Sequence, residues 1–212
     1  MIRDCLAALH GLRTRGHEVI VVDGGSRDDT VALARGLADH VLISEQPGRA
    51  VQMNRGAMQA CGDVFLFLHA DTLLPEDADR LLEEYGVDAK AWGRFDVTLS
   101  GRRPLLRVVE TAMNLRSRLT GIVTGDQAMF VGRELFREAG GFPDIALMED
   151  ISCSAALRRR RRPLCLRQTV VTSSRRWEEQ GIVHTILKMW RLRLLYFLGA
   201  APSELARQYH GT

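Results

Sequence analysis

Residues 18–26 read Glu-Val-Ile-Val-Val-Asp-Gly-Gly-Ser, and this stretch decides the fold. An unbroken apolar run ending in an acid is the pattern of a parallel strand buried on both faces; a half-exposed strand would alternate polar and apolar residues. Two glycines and a serine then break the run. Ser26 with Asp29 resembles a capping box, which predicts a helix over residues 27–38. Strand, glycine turn and helix start form half of a βα unit, and backbone N–H groups at such a turn favour an anion. Taken alone, the stretch fits a plain strand–turn–helix connection equally well.

The same reading extends along the chain. Residues 2–14 form an amphipathic helix with Ile2, Cys5, Leu6, Leu9 and Leu12 on one face, ended by Gly16. A short strand at 40–43, a helix at 49–61 and a second buried strand at 64–69 follow. Pro75 starts a helix to about Tyr85, residues 92–99 are a strand and 105–119 a long helix. A strand at 128–131 precedes a helix at 133–139, stopped by Gly140 and Gly141. Helix 148–161, strand 165–172 and helix 182–198 complete the pattern. Strand and helix alternate throughout, so the expectation is an α/β fold: a mostly parallel, Rossmann-like sheet flanked by helices and crossed right-handed. Residues 1–180 form the main domain and 181–212 a C-terminal helical segment.

Composition bounds the function. The 212 residues are 46% hydrophobic and 26% charged, which excludes collagen-like, mucin-like and largely disordered chains. The 29 basic and 26 acidic residues leave a net charge of +3, too small a bias to indicate nucleic acid. All the basic residues but Lys90 and Lys188 are arginine. Cys5, Cys61, Cys153 and Cys165 form no CxxC pair and no zinc spacing, so they read as structural thiols in a reducing compartment. The first sixteen residues hold no apolar core of a secretory signal, and no apolar run reaches the ~18–20 residues of a membrane span. The expectation is a soluble cytoplasmic protein, within reach of a membrane surface.

Ligands of open α/β sheets bind beyond the carboxyl ends of strands, and three acidic positions fall there. Asp23 ends the first strand, Asp71 follows the second at Leu68-His69-Ala70-Asp71-Thr72, and Glu149-Asp150 opens a helix. A carboxylate just past a buried strand suits a hard divalent cation, although Asp71 and Thr72 also fit as a cap for the helix after Pro75. Glu149 and Asp150 fit equally as acids favouring a helix dipole.

Together the three positions carry a resemblance. VVDGGSRDDT at 21–30, FLFLHADT at 65–72 and GGFPDIALMEDISCSAALRRR at 140–160 resemble the family-2 glycosyltransferases with the GT-A nucleotide-sugar fold. The likeness runs to about Trp177. GRAVQMNRGA at 48–57 and TGDQAMFVGRELFREAGGF at 124–142 look like a compact bacterial branch labelled as arsenosugar-biosynthesis-associated. The resemblance implies an inverting, metal-assisted transfer of sugar from a nucleotide-diphosphate sugar, most often a UDP-sugar, to an acceptor hydroxyl. It implies that Asp23 contacts the nucleoside, with Gly24 and Ser26 in the same turn, and that Asp71 matches the last acid of the DxD motif holding Mg2+ or Mn2+. His69 replaces the first acid of that motif, and imidazole suits Mn2+ better than Mg2+. Asp150 matches the catalytic base of the ED motif, with Glu149 beside it. Arg49, Asn54 and Asp126 fall where the family contacts its donor. Arg175-Arg176-Trp177 resembles the end of the QxxRW motif, with Ser173 in place of the glutamine; Arg176 would offset charge on the departing diphosphate, and polymerisation is not expected. The alternative reading is a nucleotide-sugar-binding protein without turnover, or a truncated, inactive transferase.

Members of the family open with a strand that lies in their sheet between the counterparts of EVIVVD and VFLFLH. This sequence opens at the following helix, which predicts a central gap with unpaired backbone groups and favours a start assigned too far downstream. Two basic segments remain. Arg158–Arg162 ends a helix without interleaved aromatics, so it reads as a solvated helix end and not as a nucleic-acid platform. GIVHTILKMWRLRLLYFLGA at 181–200 mixes aromatic and basic residues. A peripheral membrane contact, packing on the domain and packing on a second subunit all fit it. His184 within it reads as structural, with third metal ligand as the alternative.

Overall fold

The computed structural model describes residues 2–211. Its amphipathic start folds as two short helices, α1 (Ile2–Ala8) and α2 (His10–Thr14). Strand β1 (Ile20–Asp23), helix α3 (Thr30–Ala34) and strand β2 (His40–Ile43) follow. The two strands pair in parallel, with Ile20 opposite His40 and Asp23 opposite Ile43. Leu6 and Leu9 pack with Ala34, and half-buried Val21 and Val41 close this small core. Helix α3 is much shorter than the predicted 27–38, and the expected capping box does not form. Ser26 turns its hydroxyl to Asp23 instead, so the side chain that would have capped the helix holds the turn.

Helix α4 (Arg49–Gln59) lies on β1 and leads to β3 (Val64–Phe67) and the two-residue β4 (Thr72–Leu73). Then come α5 (Ala78–Glu84), β5 (Trp92–Leu99), α6 (Pro104–Thr120), β6 (Met129–Gly132), α7 (Arg133–Ala139), α8 (Glu149–Arg158) and β7 (Leu164–Thr172). Three helices finish the chain: α9 (Arg175–Glu179), α10 (Ile182–Phe197) and α11 (Pro202–His210). Thr72 does not cap α5; its hydroxyl meets that of Thr172 at 2.9 Å, joining β4 to β7.

The α/β class holds, with helices packed about a sheet, but the strand directions correct the expectation of a mostly parallel sheet. The five strands of the second sheet run in the order β3-β6-β5-β7-β4, and only β5 and β7 are parallel. A strand buried on both faces carries the same apolar run in either direction, so composition cannot orient it. The connections do so, and β6 returns between β3 and β5 against both. The core sits on this sheet. Phe95, Phe130, Leu166 and Val170 bury one side against Leu106, Val109 and Met113 of α6. Trp92, Met129 and Val131 bury the other against Leu135, Phe136 and Leu157.

Among the described residues no hydrogen bond joins β1 to β3, so the small sheet and the large one stay separate. The break falls where the sequence reading placed the gap.

Candidate active site

Asp23 is buried at the end of β1 and organises the turn behind it. One carboxylate oxygen accepts the N–H groups of Gly25 and Ser26, each at 2.8 Å, and the other accepts the Ser26 hydroxyl at 2.5 Å. Burial alone would raise its pKa, but the hydrogen bonds from Ser26 and Gly25 outweigh it and hold the group below the usual carboxylate range. Gly24 leaves room for a neighbour, since a Cβ there would lie 2.9 Å from the Gln52 amide. That amide donates to the Val22 carbonyl at 2.8 Å and ties α4 to β1.

Beyond β3 the chain turns at His69 and Asp71 before entering β4. The His69 imidazole lies among three carboxylates, Asp126, Asp71 and Asp150, with the Arg49 guanidinium also near it. Burial first, and Arg49 second, hold its pKa below the ordinary histidine value against the pull of those acids, so the ring is neutral near pH 7. Its edge presses on Gly125: a Cβ at that position would come within 2.4 Å of Nε2. Gly125 opens a single 3₁₀ turn (Gly125–Gln127) whose capping box joins Thr124 and Gln127. The turn fixes Asp126, whose carboxylate accepts the Thr124 hydroxyl at 2.6 Å.

Helix α8 begins at the acid pair. Met148 before it is buried with φ of 70°, a left-handed conformation that a non-glycine residue holds only where its surroundings enforce it. Glu149 and Asp150 are the first two residues of the helix, and neighbours one residue apart on a helix face different ways. Glu149 is 4% exposed and pairs with Arg49 at 3.4 Å. Burial and then the nearby Asp150 raise its pKa. Asp150 is partly exposed and accepts the Gly125 N–H at 3.0 Å and its neighbour Ile151 N–H at 2.7 Å. Arg176, the second residue of α9, lies over the Tyr209 ring at 5.1 Å. Its pKa is lowered by burial and by Arg49, and Asp71 and Asp126 oppose that shift. Arg49, His69, Asp71, Asp126, Glu149, Asp150 and Arg176 therefore gather in one place, from five separate segments of the chain.

Asn54 does something different. Its amide donates to the Phe142 carbonyl at 2.7 Å and accepts the Phe142 N–H at 3.0 Å, clamping the loop that precedes α8. Sequence reasoning missed Gln52, Thr124 and Arg116. Gln52 follows Arg49 by one helical turn, and that i,i+3 spacing was the available signal. Arg116 carries no local signal, because its setting is made by distant residues. It donates to Thr124 at 3.3 Å, and burial, then Arg193, lower its pKa to about 10, against the pull of Asp126 and Asp150. Three arginines of the 158–162 run are occupied with backbone: Arg158 donates to the Thr120 carbonyl, Arg160 to that of Glu138 and Arg161 to that of Lys90.

Among the described residues, no three His, Cys, Asp or Glu side chains come together to hold a metal ion by themselves. Asp71 and neutral His69 offer one oxygen and one nitrogen, a donor set that fits a cation taking its other ligands from substrate phosphates.

The sequence profile described as Glycosyl transferase family 2 matches residues 1–138. An uncharacterized glycosyltransferase of Mycobacterium tuberculosis is 35% identical over 144 residues, covering 61% of this chain and 53% of that protein. The poly-beta-1,6-N-acetyl-D-glucosamine synthase of Staphylococcus aureus is 30% identical over 95 residues, covering 42% of this chain and 23% of the synthase. The chain thus spans about half the length of the first of these relatives and about a quarter of the second. The fold is similar to that of a mannosyltransferase from Pyrobaculum calidifontis solved with GDP-Man and Mn2+, with a TM-score of 0.65 and 21% identity over 99% of this chain and 64% of that one.

Proposed function

Because the chain belongs to glycosyl transferase family 2, we propose that it transfers a sugar, with inversion, from a nucleotide-diphosphate sugar to an acceptor hydroxyl. The observation that carries this reading is the divergence of the acid pair: Asp150 is partly exposed beside Asp126 and His69, while Glu149 is buried under Arg49. In this reading the acceptor oxygen attacks the anomeric carbon as the bond to the diphosphate breaks. Asp150 accepts the hydroxyl proton, and the diphosphate leaves with the bonding electrons. Glu149 holds Arg49, and Arg49 and Arg176 offset the charge on the leaving group. The Asp23 turn, with Gly24 and Ser26, receives the nucleoside, and Asp126 orients the sugar. The clamp from Asn54 to Phe142 supports the site from behind.

A divalent cation, Mg2+ or Mn2+, would be held by Asp71 with His69 beside it, and when bound it supplies neutralisation of diphosphate charge. Mn2+ and GDP-Man in the Pyrobaculum calidifontis mannosyltransferase support a cation and a nucleotide-diphosphate donor. A UDP-sugar is our reading of the base, and a cytoplasmic location our reading of the four free cysteines. The likeness to the arsenosugar-associated branch assigns no acceptor.

The test is a thermal-shift panel of UDP-, GDP- and dTDP-sugars with and without Mn2+. A donor at 100 times its Kd adds about 2.7 kcal/mol of stability. The increment in Mn2+ should largely vanish in Asp71→Asn, because a neutral amide is a poor partner for a hard cation. An unchanged increment would reduce Asp71 to a loop residue. Cation-dependent donor binding without turnover would favour the binding-protein reading.

A further inference from the structure

Helix α10 has one face that the rest of the chain leaves uncovered. Val183, Leu187, Trp190, Leu194, Phe197 and Leu198 recur at helical spacing and are 58–74% exposed. The opposite face is anchored: Leu192 packs with Ile151 and Leu205, and the Tyr196 hydroxyl meets Ser152 on α8. The exposed stripe is thus held rigidly beside the helix that carries Asp150. Its charge is of one sign. Over 16 residues α10 holds His184, Lys188, Arg191 and Arg193 and no Asp or Glu. Arg191 is exposed at the border of the stripe, whereas Arg193 has its Nε buried and its charge near Arg116.

We propose that α10 lies in the interfacial plane of a bilayer containing anionic phospholipid, with the Trp190 stripe at the acyl boundary and Arg191 at the headgroups. Two arguments favour this occupant over a second copy of the chain. An isologous dimer through the stripe would set Arg191 and the basic charge of α10 against their own counterparts, with no carboxylate on the helix to balance them. An anionic surface meets the same charges favourably, and an exposed tryptophan amid aliphatic residues is suited to the boundary between headgroup and chain. Among the described residues no helix is long and apolar enough to cross a membrane, so the contact is a surface one.

The test is cosedimentation of the full chain with phosphatidylcholine vesicles and with vesicles of phosphatidylcholine and phosphatidylglycerol at 3:1. Neither needs a donor or turnover, so the result is independent of the transferase reading. Binding to the phosphatidylglycerol vesicles, weakened by salt, is expected. Trp190→Ser with Leu194→Ser should lower the partition coefficient at least tenfold, as two apolar side chains require. Arg191→Gln should lower it about fivefold. Met58→Ser on α4, where the side chain is 87% exposed, should leave it unchanged. All three variants alter exposed positions, and unchanged thermal unfolding checks that they fold. Three results would overturn the proposal: no binding to the anionic vesicles, equal binding by the Trp190 and Leu194 double variant, or a dimer in light scattering that this variant splits, which would place a second copy on the stripe.

Discussion

The two sheets differ in how firmly they hold the site. The small one has two strands, and its core is Leu6, Leu9 and Ala34 with half-buried residues around them. The large one has five strands and buries Trp92, Phe95 and Phe130 completely, with packed helices on both sides. Asp23 and its turn hang from the first, whereas Asp126 and Asp150 are fixed against the second. The facing edges of β1 and β3 remain unpaired with each other, so the Asp23 turn is joined to the rest of the site through helix α4 and α1 rather than through a continuous ladder. The comparison teaches that in this chain Asp23 and the acids Asp126 and Asp150 rest on scaffolds of unequal size.

The largest effect that sharpens the contrast is catalytic. Asp150→Asn should lower kcat roughly 10²–10⁴-fold with donor binding retained, since that is what general-base catalysis contributes. Glu149→Gln should do less, because its partner is Arg49 and its carboxylate is buried. Steady-state kinetics beside donor titrations check both, and equal kcat in wild type and Asp150→Asn removes the base assignment.

Next is stability. Phe130→Ala, in the large sheet, should cost about 3–5 kcal/mol. Val41→Ala, half-buried in the small sheet, should cost about 1 kcal/mol. Denaturant unfolding of the two variants measures the difference, and comparable costs would mean that the sheets share one cooperative core.

The smallest effect is a pH dependence at the Asp23 turn. The folded pKa lies below the unfolded one, so the carboxylate contributes stability fully above the unfolded pKa and loses it as pH falls through the folded value. Asp23→Asn should therefore be less stable than wild type at neutral pH, and the two should converge in acid. Parallel stability profiles would show that the turn does not depend on the charge.

Much of this was legible early. Strands β1, β2, β5 and β7 and helices α4, α6, α7, α8 and α10 lie within a few residues of their predicted spans, because apolar periodicity and glycine stops are local properties. Helix α3 started late because Ser26 serves Asp23, and it ended early where Arg35 turns extended before Gly36 at φ of 91°. Strand β4 and helix α9 escaped notice, being short, and α11 falls within the segment read as helical at 181–212. Asp71 and Asp150 could be singled out because each sits at a strand end or helix start. Arg116 could not, since only the approach of Arg193, Asp126 and Asp150 gives it a role.

Sequence by itself determined the α/β class, the family, the position of the break and the identity of the acids, since each follows from residue order over short spans. Only the tertiary structure decided strand direction, the separation of Glu149 from Asp150, the diversion of Asn54 to Phe142 and the bare face of α10. The physical reason is common to all four. A residue's burial, its partner and its direction depend on segments far away in the chain, and no local pattern encodes which distant surface will meet it.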